Sequence, residues 1–434
     1  MKLLYSNDRL GEHAPSWYHD NCKVDTRPCL SVHEDTQVCV IGAGFTGLSA
    51  ALQLRDSGID CVVLDAHRVG WGASGRNGGQ LGSGFNMNQT QLETKLGREH
   101  ARALWQATEH AKHWIMETSR VHQFDLDYRP GIVYAQHRPG SHAAEHEYCE
   151  HMAKHYGYEG MHALDKHSVR ERVLSDDYCS GILDSGAGHI QPLKLARGLA
   201  RAAEQQGARI FECSEALRIT RKSNSSRQRV ITAMGSVTCD NVVVAVNGYV
   251  DGLDKAINRR QMPINNFIVV TEPLGERASD LLPHDDAVAD SRFVVNYFRR
   301  VGGDRLLFGG GENYSYRFPV DIAPQVRRAM LGIFPDLHDA AIDYAWGGTL
   351  AITRNRLPFI GEVSAGRYTA GGYSGHGVAL ACLYGKALAE HLAGRSDLYQ
   401  TLKVLPNKPF PGGSRVRPAL LALAMTGYSW LDRL

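Results

Sequence analysis

The feature that most constrains this 434-residue chain is a short glycine motif between a buried strand and a helix. Gly42, Gly44 and Gly47 form the pattern G-x-G-x-x-G directly after the apolar run 37–41, and a helical pattern follows. A second apolar run, 59–64, completes a β-α-β unit, which requires a parallel sheet. In this context the first glycine permits a tight turn, the second admits a pyrophosphate, and the third allows close helix–strand packing. The sequence therefore predicts a Rossmann-like dinucleotide-binding domain.

A carboxylate stands at the end of the second strand of this unit. Asp65 lies 18 residues after Gly47, where it is placed to accept hydrogen bonds from ribose hydroxyls. Its negative charge disfavours a 2′-phosphate, so FAD or NAD fits the unit better than NADP does. An ordinary βα turn without a ligand is the alternative, and the complete β-α-β context argues against it.

Two more glycine-rich stretches favour FAD over NAD. The run 72–80 (GASGRNGGQ) follows the β-α-β unit directly, and its composition suits a backbone lying against a large planar or anionic group. The run 371–377 (GGYSGHG) precedes a helical pattern over 378–392. A helix N-terminus there favours negative charge, such as that on the N1–C2=O edge of a reduced flavin. A flexible surface loop and a structural βα turn are the respective alternatives.

In this order the three clusters resemble the D-amino-acid-oxidase-like family of FAD-dependent amine oxidoreductases. The resemblance extends to 183–192 (LDSGAGHIQP), 346–348 (WGG) and 356–361 (RLPFIG), and it covers about residues 38–394. Further stretches, including 73–80, 373–378 and 409–413 (PFPGG), resemble the branch of the family that oxidises gamma-glutamylated diamines such as gamma-glutamylputrescine.

The resemblance implies an α/β plus α+β fold, in which a Rossmann-like FAD-binding domain is interleaved with a sheet-based substrate domain. We expect residues 37–90, 160–250 and 345–395 in the FAD-binding domain and residues 91–159 and 251–344 in the substrate domain. Residues 1–36 would form an N-terminal arm, and residues 396–434 would form a C-terminal tail packed on the FAD domain.

The resemblance also implies a set of contacts to FAD. The cofactor-binding residues that it implies are Gly42, Gly44, Phe45, Thr46, Gly47, Asp65, Ala66, Ser74, Gly75, Arg76, Asn77, Gly78, Gly79, Gln80, Leu217, Gly372, Ser374, Gly375, His376, Gly377 and Val378. Some family members attach the flavin covalently through a cysteine near the segment that here is 313–318. This chain has no cysteine there, and its only nearby one is Cys382, so we expect noncovalent FAD.

The implied reaction is the oxidation of an amine. Hydride passes from the amine-bearing carbon to flavin N5, the imine is hydrolysed to aldehyde and ammonia, and dioxygen or another acceptor reoxidises the flavin. His376 is a catalytic candidate that would polarise the flavin edge or favour the neutral amine, and a histidine that caps a helix is the alternative. The candidates for an aromatic wall of the amine pocket are Tyr297, Trp346 and Tyr373, with core packing as the alternative. Candidates for binding a carboxylate are Arg299, Arg300 and Arg354.

Two other functions remain open at this point. One is a glycine, sarcosine or D-amino-acid type of oxidase or dehydrogenase in the same family, and the other is a flavin-binding redox module without catalysis. For the amine oxidase and for the amino-acid type of oxidase, the substrate would be a small amine. A zinc enzyme is disfavoured, because Glu150 stands where the motif H-E-x-x-H requires a second histidine after His146. A solvated helix is the better interpretation of that histidine-rich segment, and we expect no metal site.

Composition narrows the partners and the location. The 48 Lys and Arg residues nearly balance the 46 Asp and Glu residues, so a large basic surface for nucleic acid is excluded. The nine cysteines are scattered and form no C-x-x-C pair, which fits a reducing compartment. Residues 1–20 lack the apolar region of a secretory signal peptide. Both observations predict a cytoplasmic protein. The longest apolar run, 419–425, is too short to cross a membrane. Residues 418–430 are predicted to pack on the FAD domain, and a peripheral membrane helix that reduces quinone is the alternative.

Overall fold

The computed structural model describes residues 2–23, 25–221, 226–313 and 315–411. The strands in these ranges are β1 His33–Asp35, β2 Val38–Ile41, β3 Cys61–Leu64, β4 Gln80–Leu81, β5 Arg129–Gln136, β6 Met161–Leu164, β7 Ser180–His189, β8 Arg209–Phe211, β9 Arg218–Arg221, β10 Gln228–Ile231, β11 Ser236–Cys239, β12 Asn241–Val244, β13 Met262–Thr271, β14 Ala287–Asp290, β15 Tyr297–Val301, β16 Arg305–Asn313, β17 Ile342–Ile352, β18 Phe359–Ser364 and β19 Arg367–Gly371. The α-helices are α1 Trp17–Asp20, α2 Phe45–Asp56, α3 Gln89–Leu96, α4 Arg98–Val121, α5 His142–Tyr156, α6 Lys166–Arg172, α7 Pro192–Gln205, α8 Lys255–Asn258, α9 Glu276–Leu281, α10 Ala323–Ile333, α11 Val378–Leu392 and α12 Asp397–Lys403.

The predicted β-α-β unit forms the centre of a sheet with the order β18-β19-β12-β2-β3-β8. The pairs β2–β3, β2–β12, β12–β19 and β3–β8 are parallel, and only β18 runs antiparallel to its neighbour in this described sheet. Every residue of β2 and β3 is buried, because both faces of the sheet are covered. Val40 and Val63 pack under α2, α7 and α11. Ile41 and Val62 pack on the opposite face against a second sheet, β1-β11-β10-β9.

A larger sheet of the described residues has the order β17-β13-β16-β15-β14-β5-β7-β4, with β6 paired to β7. It is mainly antiparallel, and β14 and β5 pair in parallel. Phe267, Phe298 and Phe308 lie on the face that packs against α10. The other face, with Ile268 and Leu307, packs against Trp17 and Tyr18 of the N-terminal helix α1. The architecture confirms the expected combination of a Rossmann-like domain and a sheet-based domain.

The segment boundaries differ from those expected from the sequence. Strand β7 lies within 160–250 and strand β17 starts before 345, yet both belong to the larger sheet and not to the FAD-side sheet. The short strand β4, inside 37–90, also pairs with β7. A strand's hydrophobic pattern indicates that it is buried but not which sheet it joins, so the boundaries could not be set from periodicity.

Both ends of the chain are partly built into the fold. The N-terminal segment is not only an arm, since β1 pairs in parallel with β11. In the expected tail, α12 packs beside α11 and β18, with Leu402 fully buried, and the amide of Phe410 donates to the carbonyl of Arg259 at 2.9 Å. The predicted helix over 418–430 lies outside the described residues. None of the described helices is long and apolar enough to cross a membrane.

Candidate active site

A cavity of about 650 Å³ runs from the carboxyl ends of β2 and β3 to the larger sheet. Ile41 and Leu64 line it at the strand ends, and Asn266 and Tyr297 line it on the side of the larger sheet. Open α/β sheets bind ligands in the crevice at the carboxyl ends of their strands. The cavity therefore joins the predicted nucleotide-binding motif to the sheet that was expected to carry the substrate.

The cofactor-binding residues predicted from the sequence line this cavity, with the exceptions of Gly47, Gly75 and Gly372. These three glycines lie behind the wall, where each one touches a neighbouring segment. A Cβ atom on Gly47 would lie 1.9 Å from the carbonyl oxygen of Gly42, and one on Gly75 would lie 2.2 Å from that of Gly70. A Cβ atom on Gly372 would lie 2.3 Å from Cγ2 of Thr353. They permit close packing of the segments that form the wall.

The turn between β2 and α2 brings the N-terminus of α2 to the cavity wall, where the amides of Ala43 and Phe45 donate to Asp65 and to the hydroxyl of Ser74. Gly42 has φ of +107°, a conformation open to glycine, and its amide donates to the carbonyl of Leu64 at 2.7 Å. Gly44 caps α2 and carries no side chain that would block the helix N-terminus. The first N–H groups of a helix have no intrahelical acceptors, and the helix dipole adds positive potential there. This end of α2 suits a pyrophosphate.

Asp65 extends from the end of β3 into the cavity. Its Oδ2 accepts the amide of Ala43 at 2.7 Å and its Oδ1 accepts the amide of His67 at 2.8 Å. Burial raises the pKa of Asp65 to about 6, although the two amide hydrogen bonds act in the opposite direction. A carboxylate has further lone pairs beyond these two bonds, so it remains able to accept from a ribose.

The glycine-rich run 72–80 is a held structure and not a flexible loop. The guanidinium of the buried Arg76 donates to the carbonyl of Trp71 at 2.6 Å and to that of Gly347 at 3.1 Å. It also pairs with Asp8 at 3.0 Å. Asn77 accepts the amide of Gly79 at 2.8 Å through its own side-chain oxygen. The backbone that faces the cavity is therefore fixed from behind.

One atom of this run has no hydrogen-bond partner among the described residues. Nη2 of Arg76 is buried, and the described residues offer it no hydrogen-bond acceptor. The guanidinium lies over the ring of Trp71, with its central carbon 4.7 Å from the ring centroid. The glycine turn at the N-terminus of α2 and the carboxylate of Asp65, both on the cavity wall, are the residues that fit FAD.

The third glycine cluster brings His376 to the cavity wall at the start of α11. Its Nε2 lies 3.2 Å from the carbonyl oxygen of Ser83, which can only accept, so Nε2 carries the proton. Burial lowers the pKa of His376, and hydrogen bonds to the carbonyls of Ser83 and Gly84 offset part of this effect. His376 is thus a neutral imidazole at neutral pH, with its acceptor lone pair on Nδ1.

The three aromatic candidates have different positions. Tyr297 lines the cavity, and its hydroxyl donates to Oδ1 of Asn266 at 2.5 Å. Tyr373 also lines the cavity, and its hydroxyl lies 2.6 Å from that of Thr46, so it joins the third cluster to α2. Trp346 does not line the cavity: it is 2% exposed, and its indole N–H donates to the carbonyl of Arg76 at 3.0 Å. Its contacts are those of a core residue that supports the glycine-rich run.

The arginines proposed for a carboxylate do not line the cavity, whereas another arginine does. Arg299 is buried and donates to the carbonyls of Gly78 and Ile190, Arg300 pairs with Asp285 at 3.1 Å, and Arg354 is exposed. Sequence reasoning missed Arg356, which lines the cavity. No sequence signal separates Arg356 from Arg354, because only the turn between β17 and β18 decides which side chain turns inward.

The histidine-rich helix is not arranged as a metal site. In α5, Nε2 of His151 pairs with Oε1 of Glu93 at 2.9 Å, and His146 pairs with Glu150 at 3.4 Å. Across the ranges that the structure describes, no group of three or more His, Cys, Asp or Glu side chains is placed to hold a metal ion.

Comparisons with known proteins support the same fold and cofactor. The family model described as FAD dependent oxidoreductase (DAO) matches residues 37–391. A probable oxidoreductase OrdL of Rhizobium meliloti is 41% identical over 421 residues, which are 96% of this chain and 97% of that protein. Gamma-glutamylputrescine oxidoreductase of Escherichia coli is 37% identical over 426 residues, which are 98% of this chain and 99% of that protein.

Two solved structures have the same fold. L-proline dehydrogenase from P. horikoshii aligns with a TM-score of 0.69 at 21% identity, over 84% of this chain and 95% of its own. Glycine oxidase from Bacillus cereus aligns with a TM-score of 0.68 at 21% identity, over 84% of this chain and 97% of its own. At this identity the likeness supports the architecture and not the substrate.

Proposed function

This chain belongs to the DAO family of FAD-dependent oxidoreductases, and from that premise we propose that it oxidises the primary amine of gamma-glutamylputrescine or a similar gamma-glutamylated amine. The observation that carries the proposal is the single continuous cavity, in which the wall that fits FAD meets the polar and aromatic side chains of the larger sheet. The Escherichia coli relative of that name, which aligns with nearly the whole chain, supports the choice of amine. We further propose dioxygen as the electron acceptor.

The residues that would hold the cofactor follow from the geometry of the wall. The N-terminus of α2 would bind the pyrophosphate and Asp65 the adenosine ribose, while Arg76 would hold the glycine-rich run against the cofactor. When bound, FAD supplies a two-electron acceptor for the hydride of the amine-bearing carbon. The described part of the segment 313–318 contains no cysteine, and Cys382 is fully buried outside the cavity wall, which supports noncovalent binding.

His376 would act as a hydrogen-bond acceptor and not as a cation. The amine must be neutral when hydride leaves the carbon that bears it. A protonated imidazole at the wall would repel the ammonium form from which that amine is generated. Because burial lowers the pKa of His376, its Nδ1 lone pair stays available for an amine N–H at neutral pH. Tyr297 and Asn266 would line the path of the aliphatic chain.

An amino-acid oxidase is the second candidate. It is favoured by the presence of a guanidinium, that of Arg356, on the cavity wall, since such enzymes must bind an α-carboxylate. The same guanidinium serves a gamma-glutamyl substrate equally well, because that group also carries a carboxylate. The two candidates differ in how far the carboxylate lies from the oxidised carbon.

Flavin bleaching distinguishes these candidates. The purified protein would first be examined for a flavin absorbance band, and then mixed anaerobically with gamma-glutamylputrescine, putrescine, sarcosine, glycine or D-alanine. We expect the gamma-glutamylated amine to reduce the flavin and putrescine to do so poorly. Bleaching by sarcosine, glycine or D-alanine alone would replace the proposal with an amino-acid oxidase. A flavin that no amine reduces would point to a redox module without catalysis.

The acceptor and the location require separate measurements. Air admitted to the reduced protein should restore the flavin band with formation of hydrogen peroxide, whereas reoxidation by quinone alone would contradict the choice of dioxygen. We also propose a cytoplasmic location, which the nine free cysteines support. Fractionation of cells that express the full chain tests it.

A further inference from the structure

Among the described residues, Arg356 is the cation of the cavity wall that has no ion pair with a carboxylate. Among the described residues, the lysine and arginine side chains that line the cavity are Lys2, Arg76 and Arg356. Lys2 pairs with Glu215 at 2.7 Å, and Arg76 pairs with Asp8 at 3.0 Å. The structure gives the side chain of Arg356 no ion pair within the described ranges. A charge left unpaired at the wall of a cavity is available for an anionic ligand.

The backbone holds this side chain in place at some cost. Arg356 has φ of +60°, in the left-handed region that residues with a Cβ atom seldom occupy. Its amide donates to the carbonyl of Thr353 at 3.2 Å, and the hydroxyl of Thr353 donates to the carbonyl of Leu357 at 2.7 Å. The side-chain amide of Asn355 ties the same turn to the carbonyl of Pro406 at 2.5 Å. Strained positions held by their surroundings concentrate at functional sites.

An aromatic ring orients the guanidinium. Its central carbon lies 4.9 Å from the centroid of Phe293, which comes from the loop between β14 and β15 and also lines the cavity. Stacking of a guanidinium on a ring uses its face and leaves its N–H edge open. That edge matches the two oxygens of a carboxylate, which an arginine binds with two parallel hydrogen bonds.

We propose that Arg356 binds the α-carboxylate of the gamma-glutamyl group, at the end of the substrate remote from the oxidised amine. This inference rests on the proposed function and adds the residue that selects the acylated diamine. Free putrescine is an ammonium at both ends, so its far end would be repelled by the guanidinium. Attachment of a gamma-glutamyl group converts that ammonium to an amide and brings a carboxylate to the site. Arg356 thus selects for the glutamylated amine and against the free diamine.

The test uses the FAD-loaded protein and two substrates that differ by one group. N-(4-aminobutyryl)putrescine is gamma-glutamylputrescine without the α-carboxylate. Arg356→Gln should raise the apparent Kd for gamma-glutamylputrescine in anaerobic flavin reduction about 10- to 100-fold, the loss expected for hydrogen bonds to a charged group. The apparent Kd of Arg356→Gln for the aminobutyryl analogue should not rise, because this analogue has no carboxylate and its terminal ammonium is no longer repelled by the guanidinium. The limiting reduction rate of the variant should stay within about twofold of the wild type. Arg356→Lys keeps the charge but not the two parallel N–H donors. Its apparent Kd for gamma-glutamylputrescine should lie between those of the wild type and Arg356→Gln.

Arg354→Gln is the matched control. It removes the same group two residues away, where the side chain is exposed and does not line the cavity. It should bind both substrates like the wild type. Equal losses of affinity for both substrates in Arg356→Gln would overturn the inference, as would a wild type that binds the two substrates equally well. An effect of Arg354→Gln as large as that of Arg356→Gln would overturn it too.

A ligand that is not a diamine separates this inference from the proposed function. Gamma-glutamylmethylamide carries the proposed head group but no chain amine, and its binding can be followed by the flavin absorbance without turnover. Weaker binding in Arg356→Gln, with unchanged binding in Arg354→Gln, would support the carboxylate site even if no gamma-glutamylated amine reduces the flavin. If glycine or D-alanine reduces the flavin and Arg356→Gln weakens only their binding, the assignment to the gamma-glutamyl group is overturned.

Discussion

Replacement of Asp65 by asparagine should remove a pH dependence from FAD binding. The carboxylate lines the cavity at the end of β3, where we propose that it accepts the ribose hydroxyls. Burial raises its pKa from an ordinary 3.8 to about 6 in the protein without ligand. The folded pKa lies above the unfolded one, so its protonation stabilises the ligand-free fold fully below pH 3.8. That contribution is lost as the pH rises through about 6.

The size of the effect follows from the same pKa. With a pKa of about 6, the carboxyl group is ionised to roughly 10% at pH 5 and to more than about 95% at pH 7.5. If the ribose binds the ionised form, the Kd of FAD should rise about tenfold between pH 7.5 and pH 5. The side chain of Asp65→Asn cannot ionise, so the Kd of this variant for FAD should not change over this pH range. At pH 7.5 that Kd should be about 10- to 100-fold higher than the Kd of the wild type.

Titration of flavin-stripped protein with FAD, followed by quenching of flavin fluorescence, measures this dependence. Asp60→Asn is the matched control, since Asp60 precedes the opposite end of β3, pairs with Arg55 and Arg209, and does not line the cavity. It should keep the wild-type dependence on pH. A pH dependence that persists in Asp65→Asn, or equal affinity of the wild type for FAD at both pH values, would refute the assignment of the ribose to Asp65.

Three further substitutions test other parts of the structure. Gly47→Ala places a Cβ atom 1.9 Å from the carbonyl oxygen of Gly42. It should lower the free energy of unfolding in urea by about 2–3 kcal/mol or more and cause loss of bound flavin. Gly361→Ala is the control, since its Cβ atom meets open space, and it should lower the free energy of unfolding far less. Lys112 in α4 donates its ammonium to the hydroxyl of Ser83 and the carbonyl of Gly186 and pairs with Glu109 at 3.0 Å. Lys112→Met leaves these three groups without their partner and should lower the free energy of unfolding by about 3–5 kcal/mol; an unchanged urea midpoint would show that this network contributes nothing. His376→Asn should slow anaerobic flavin reduction about tenfold or more and alter its pH profile, because it replaces the neutral imidazole acceptor; an unchanged rate and profile would contradict the role given to that lone pair.

The nucleotide-binding part of this protein was predictable because its signals are local. The spacing of Gly42, Gly44 and Gly47 between two buried strands specifies a turn, a helix start and a close packing contact within thirty residues. Asp65 follows from the same unit, since the end of the second strand lies beside the end of the first. From the family resemblance, FAD was predicted as the cofactor and a sheet-based domain as the partner of the nucleotide-binding unit. The fold and the comparisons confirm both predictions.

The tertiary structure decided which side chains meet across the cavity. Trp346 and Arg299 support the glycine-rich run from behind, while Arg356 faces the cavity beside Phe293, and composition and periodicity treat all of them alike. Their positions depend on strand pairing between segments far apart in sequence and on one left-handed residue in a turn. A strand pattern specifies alternation of its faces but not the partner strand, and an arginine has the same propensity at either end of a turn. The first part of the proposed cofactor site, from Gly42 to Asp65, was therefore set by local sequence, and the proposed substrate site by long-range pairing.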